Sequence, residues 1–335
     1  MKLIYFLRQR LHAGGWLLGL LLLAACHKDE AKPGGDATNN SIVQEAFNNF
    51  SLYFYYNALT SSGYADTLKG PGPFTIVAPS NTAFQAAGFS SGVDVVHASD
   101  SIRTMMPYLI LRQRLAIDST PLAFNQELTA SNGKKLYLTH WANARDTAVV
   151  VNGNRISTLS QPASNGLVNI SDGLIYPSVF SDVQAAVSGD ANLTLFNAAL
   201  VTSGTDAELR QGGPYTVFAP SNSAFNALGI NSTKAIFQMD PVQLKAMVLA
   251  HVVKSRSFIY DYILKADEIL NTYTETMADG SAVTMTLIPD ITQAGRFKGV
   301  RLSAAGGPTV NIKRSNVLAD NGVVHTIDNL LTTNN

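Results

Sequence analysis

The chain has 335 residues, of which 46% are hydrophobic and 14% charged, with 24 basic and 24 acidic side chains. That supplies apolar material for two packed cores and excludes a disordered chain, which needs low hydrophobicity and high charge. A balanced charge also excludes a nucleic-acid binder, because displacing counterions requires a strongly cationic face.

The first residues have the three parts of an export signal: basic Lys2, Arg8 and Arg10, an apolar run over 16–23, and the small residues Ala24 and Ala25 before Cys26. The run is too short to span a bilayer stably. Leu23-Ala24-Ala25-Cys26 resembles a bacterial lipobox, and Cys26 is the only cysteine, so it has no disulfide partner within the chain. The expectation is a signal peptide over 1–25, lipidation of Cys26, and anchoring through the attached chains. Loss of the leader leaves 21 basic against 24 acidic residues. Cys26-His27-Lys28-Asp29-Glu30 resembles the charged export tag of Bacteroidetes-type surface lipoproteins. It implies an outer-membrane location, lipid-anchored and facing the cell exterior. Residues 26–40 have the polar, Gly- and Pro-containing composition of a flexible tether.

The remainder is a duplication. Gly72-Pro73-Phe74-Thr75-Ile76-Val77-Ala78-Pro79-Ser80-Asn81 returns 141 residues later as Gly213-Pro214-Tyr215-Thr216-Val217-Phe218-Ala219-Pro220-Ser221-Asn222, and 11 of the 20 positions from 70 to 89 match. A period of that length means two domains, here 41–178 and 179–335, rather than a solenoid. Repeat 1 opens with Phe47, Phe50, Phe54 and Ala58 at the spacing of one helical stripe, with Tyr53 and Tyr56 on a second face suited to a sugar ring or to packing. Repeat 2 carries Leu193, Phe196, Ala199 and Leu200 there and has no matching tyrosines.

The repeated signature itself predicts strand, corner and helix. Pro79 and Pro220 end β-prone runs, Ser80 and Ser221 are helix caps, and Gly88 and Gly229 are helix stops. A second helix follows, capped by Asp240 with Pro241 in its first turn, while Pro107 should bend the repeat-1 copy. Alternating stretches at 135–139 and 282–287 follow Asn-Gly and Asp-Gly turns and predict strands, as do the closing stretches at 165–174 and 321–330. Helices first and strands later predict an α+β fold with segregated layers. The closing strands are offset by 156, so repeat 2 holds extra residues. Much of the excess is expected between Pro289 and Gly307, as a long hairpin with Arg296, Phe297, Lys298 and Arg301 at a basic, aromatic tip. The short apolar linker near Val179 and Phe180 predicts docked domains.

The opening corner, Leu249-Ala250-His251-Val252-Val253, and the closing Asn321-Gly322-Val323-Val324-His325-Thr326-Ile327-Asp328 together resemble a fasciclin domain, present twice. The resemblance implies two tandem fasciclin domains, each a two-sheet β-wedge with helices packed at one side. It also implies non-enzymatic adhesion: a secreted or anchored module that binds a protein, glycan or matrix partner. An alternative is an accessory ligand-capturing lipoprotein of an outer-membrane nutrient-uptake complex for glycan utilisation.

At these offsets Ile110 aligns with His251 and Asn169 with His325, so both histidines belong to repeat 2 alone. They are expected to be structural and to share one buried hydrogen-bonded unit. As a metal site they lack a third ligand. No zinc-protease helix, phosphate loop or dinucleotide fingerprint occurs. The expectation is no catalytic residue, no metal and no cofactor. The candidate residues are Cys26 for lipidation, His251 and His325 as structural histidines, and the hairpin Arg296, Phe297, Lys298 and Arg301 for a partner.

Overall fold

The computed structural model describes residues 40–331; the leader, Cys26 and most of the tether lie outside them. Each repeat starts with helices. In repeat 1 these are Ile42–Asn48, Tyr53–Ser62 and Tyr64–Leu68, and in repeat 2 Val183–Ser188, Thr194–Thr202 and Asp206–Gln211. The single stripe expected through Phe47 and Phe50 does not form. Asn49 leaves helical geometry and its side chain takes the Ser51 N–H, restarting the chain as a short 3-10 turn. Phe54 and Ala58 therefore face the core, while Phe47 and Phe50 face solvent.

The strands of repeat 1 are β1 (Phe74–Pro79), β2 (Ile110–Leu111), β3 (Ala123–Thr129), β4 (Lys135–Ala142), β5 (Thr147–Val151), β6 (Asn154–Ala163) and β7 (Gly166–Ser171). Those of repeat 2 are β8 (Tyr215–Pro220), β9 (Val252–Val253), β10 (Thr272–Thr276), β11 (Ala282–Pro289), β12 (Phe297–Ala304), β13 (Thr309–Ala319) and β14 (Gly322–Ile327). Both sets form a seven-stranded sheet with one order, β2-β1-β7-β6-β5-β4-β3 and β9-β8-β14-β13-β12-β11-β10. The opening strand runs parallel to the closing one, β1 beside β7 and β8 beside β14. The long β6 and β13 carry register shifts where they bend, so each sheet turns into a wedge of two halves. This is the α+β architecture that the pattern predicts.

The signature builds the corner that holds each wedge together. Ser80 and Ser221 accept from the N–H of Ala83 and Ala224, capping the helices Asn81–Ala86 and Asn222–Ala227. Asn81 accepts the Phe54 N–H and donates to Phe50 O, tying the corner to the opening helices, and Asn222 does the same with Leu195 and Ala191. Asn165 and Asn321 repeat this device at the closing strands. Each accepts the first helical N–H, of Ile42 or Val183, and donates to two carbonyls ahead of the signature.

At Pro107, where a bend is expected, the helix changes type: Ser99–Met105 is α and Met106–Leu109 is 3-10, whereas the repeat-2 helix Pro241–Leu249 is continuous. The extra length of repeat 2 is shared between two places. The offset between repeats is 142 at Leu111 and Val253 and already 147 at the turn glycines Gly133 and Gly280. That step is the helix Ile259–Lys265, which repeat 1 replaces with the 3-10 turn Ile117–Ser119. The remaining excess lies around the β11–β12 hairpin and the β12–β13 turn.

Candidate functional site

The extra helix Ile259–Lys265 is the element that joins the repeats. On β4 and β5 the residues Leu136, Leu138, Val149 and Val151 point into the core of repeat 1. The alternate residues Tyr137, Thr139, Trp141, Ala148 and Val150 point outwards, towards repeat 2. Phe258 packs on Tyr137 beside Val323, and Leu264 packs on Ala148 and Val150. Of the matching outward residues of repeat 2 on β11, Thr286 is exposed, while Thr284 and Ile288 are half-buried.

A carboxylate is closed inside this seam. Asp261 is fully buried and accepts from the Phe258 N–H at 2.8 Å, Asn125 Nδ2 at 3.0 Å and the Thr139 hydroxyl at 2.9 Å. Asn125 has a left-handed backbone (φ 53°) at the bulge of β3, which turns its amide across the seam to Asp261 and to Arg256 O. Burial pushes the Asp261 pKa up against those three hydrogen bonds, because removing a carboxylate from water costs more than the donors return. Arg256 lies 3.7 Å above the Tyr137 ring and donates to Asp320 O.

The expected hairpin reaches the same seam. Arg296 Nη1 is 2.6 Å from Asp146 of repeat 1, which also binds Arg155, and the Arg145 guanidinium lies over the Phe297 ring. Arg296 and Phe297 are therefore held by the neighbouring repeat, and neither is part of an open tip. Lys298 and Arg301 are exposed. Clefts of about 280 and 370 Å³ flank Arg296, Phe297 and Tyr260, and the three arginines of this region face Asp146, Asp172 and Asp290. The larger cleft is lined by two arginines and two aspartates, the smaller by two arginines and Asp146 alone.

His251 and His325 are both fully buried, but they do not share a hydrogen bond. His251 Nδ1 lies 2.7 Å from Met247 O and Nε2 accepts the Leu331 N–H, so the proton is on Nδ1. His325 Nδ1 accepts the Asn316 N–H and Nε2 donates to Ser257 O. What they share is Phe218: its N–H donates to His251 O and its ring stacks on the His325 ring. Burial lowers both imidazole pKa values to about 4, leaving two neutral rings.

The alignment of Ile110 with His251 also needs correction. β2 and β9 show that Ile110 corresponds to Val252, since each pairs with the central strand at the same signature position. His251 therefore corresponds to Leu109. Asn169 does correspond to His325 and makes one of its two contacts, because Asn169 Oδ1 accepts the N–H of Ser160, the left-handed residue that matches Asn316.

Among the described residues no three His, Cys, Asp or Glu side chains are placed to hold a metal, and no helix is long and apolar enough to cross a membrane. The geometry defines a class: two α+β wedges of one topology, docked through the extra helix of the second. The Fasciclin domain model matches residues 51–177 and 191–333, and the chain belongs to that family. It is 27% identical over 267 residues to transforming growth factor-beta-induced protein ig-h3 of Sus scrofa, covering 79% of this chain and 35% of that protein. It is 28% identical over 288 residues to periostin of Homo sapiens, covering 82% and 31%. The chain thus spans about a third of the length of these relatives. An uncharacterized Synechocystis protein is 30% identical over 149 residues, covering 44% of this chain and 95% of its own. The FAS1 domain pair of the insect cell adhesion molecule Fasciclin I aligns with 85% of this chain and 98% of its own, at 18% identity and a TM-score of 0.41.

Proposed function

We propose that this is a non-enzymatic adhesion or interaction protein, lipid-anchored through Cys26 to the outer membrane and facing the cell exterior. Fasciclin domains are associated with cell adhesion and interaction, and this chain consists largely of two of them. The observation that carries the proposal is the seam: it closes around buried Asp261 and joins the repeats into one compact unit. Such a unit presents its outer faces to a protein, glycan or matrix partner with little orientational freedom to lose on binding.

Lys298 and Arg301, the part of the hairpin that repeat 1 leaves open, supply the proposed contact. Pull-down from outer membranes with the chain from Cys26 onward tests the proposal. A specific surface protein or glycan, lost on combined Lys298→Ala and Arg301→Ala, is the expected result. Retention of no protein, glycan or matrix preparation would overturn it. The anchor is tested separately: labelled palmitate should enter the wild type and be absent from Cys26→Ser.

A further inference from the structure

We infer that repeat 1 carries an interfacial bilayer-docking patch, formed by Phe47, Phe50 and Tyr53 with Val93 beside them. The three aromatic residues are 67%, 94% and 56% exposed. Phe47 and Phe50 flank the break at Asn49 and Tyr53 opens the next helix: the Phe47 ring meets Tyr56 of that helix edge-on at 5.2 Å, and the helix Gly92–His97 abuts Tyr53 at Gly92, placing exposed Val93 alongside.

Repeat 2 is an internal control for what the fold requires. The Asn81 and Asn222 clasps equate Phe50 with Ala191 and Tyr53 with Thr194, while the helix starts at Ile42 and Val183 equate Phe47 with Ser188. The capping serines Ser91 and Ser232 likewise equate Val93 with Lys234. The same framework thus closes without aromatic residues at any of these positions. The contacts of Phe47 with Tyr56 and of Tyr53 with Gly92 are therefore additions to the shared framework, and more than half of each of the three side chains is left to solvent.

Two observations select a bilayer as the occupant. Residues 46–65 contain no charged side chain, so the aromatic face itself carries no ion to desolvate and carboxylates stand only at its border, at Glu45, Asp66 and Asp94, whereas the corresponding stretch of repeat 2 contains Asp190 and Asp206. The patch also lies where the tether enters: Asn40 directly precedes the helix that bears Phe47, and 14 residues from Cys26 reach at most about 50 Å. A lipid on Cys26, the anchor on which this inference rests, would hold the patch at the membrane surface. Phe and Tyr rings partition into the interface, and one lipid signal gains stability from a second contact.

The test uses the chain from Cys26 onward with Cys26→Ser, which retains every described residue and removes the lipid. In flotation with vesicles of phosphatidylethanolamine and phosphatidylglycerol, this chain should associate. The combined Phe47→Ser, Phe50→Ala and Tyr53→Thr variant, which copies repeat 2, should associate at least about tenfold less at unchanged melting temperature. Phe237→Ser, at an exposed aromatic of repeat 2, should leave association unchanged. Three results would overturn the inference: no association of the unlipidated chain, equal association of the triple variant, or wild-type self-association in sedimentation that the triple variant abolishes. The last would make a second copy the occupant. Because no lipid is present, none of these outcomes depends on whether Cys26 is acylated.

Discussion

His325 and Asn169 solve one problem with different side chains. Each captures the N–H of a left-handed residue, Asn316 or Ser160, where the long strand bends and loses its ladder partner. A buried N–H left without a partner costs about 1–3 kcal/mol. His325→Ala should therefore lose at least that amount in urea unfolding, and His325→Asn should lose less, because repeat 1 shows that an amide reaches the same N–H. Equal losses would mean that stacking on Phe218 dominates. The imidazoles also set a pH dependence. Both folded pKa values are depressed to about 4 from 6.5, so the unfolded chain binds more protons between those values. Stability is fully present above about pH 6.5 and falls as pH drops towards 4, by about 3 kcal/mol per ring. Asp261 opposes this, since its raised pKa gives a contribution that is lost as pH rises above the ordinary carboxylate range. Denaturation followed from pH 7 to 4 should show the net decline, and His325→Asn should flatten it.

The parallel pairs β1–β7 and β8–β14 are the elements on which each wedge closes, and both depend on a glycine. A Cβ on Gly322 would lie 2.4 Å from Tyr215 O and 2.6 Å from Val183 Cγ1, against backbone and a buried helix start that cannot move aside. Gly322→Ala should destabilise repeat 2 by about 1–3 kcal/mol through overpacking, measured by the urea midpoint. The signature around this pair is legible in the sequence because its signals are local: capping serines, terminal prolines and β-prone runs act within a few residues. The helix Ile259–Lys265 is not. It lacks a strong N-cap residue, and Asp261, which accepts the N–H of the N-cap residue Phe258, is also committed to partners in repeat 1. The aromatic stripe at Phe47 to Ala58 fails for a related reason, since spacing alone cannot register that Asn49 interrupts the helix.

For the whole molecule, the seam makes the repeats one body. Phe258 is 1% exposed and sits between Tyr137 of repeat 1 and Val323 of repeat 2. Phe258→Ala should cost about 3–5 kcal/mol and divide a single calorimetric transition into two. An unchanged single transition would mean that the polar contacts of Asp261 and Arg256 suffice to hold the repeats together.

The strand, corner and helix of the signature, the duplication and the family were determined by the sequence alone, because strand alternation, helix caps and turn glycines are short-range features present twice. The function of side chains at the seam was decided only by the tertiary structure. Asn125, Arg145 and Arg296 have ordinary sequence neighbours, and their partners lie more than a hundred residues away. A hairpin that looks free in one dimension is thereby an internal contact, and a buried carboxylate that no motif announces fixes how the two domains meet.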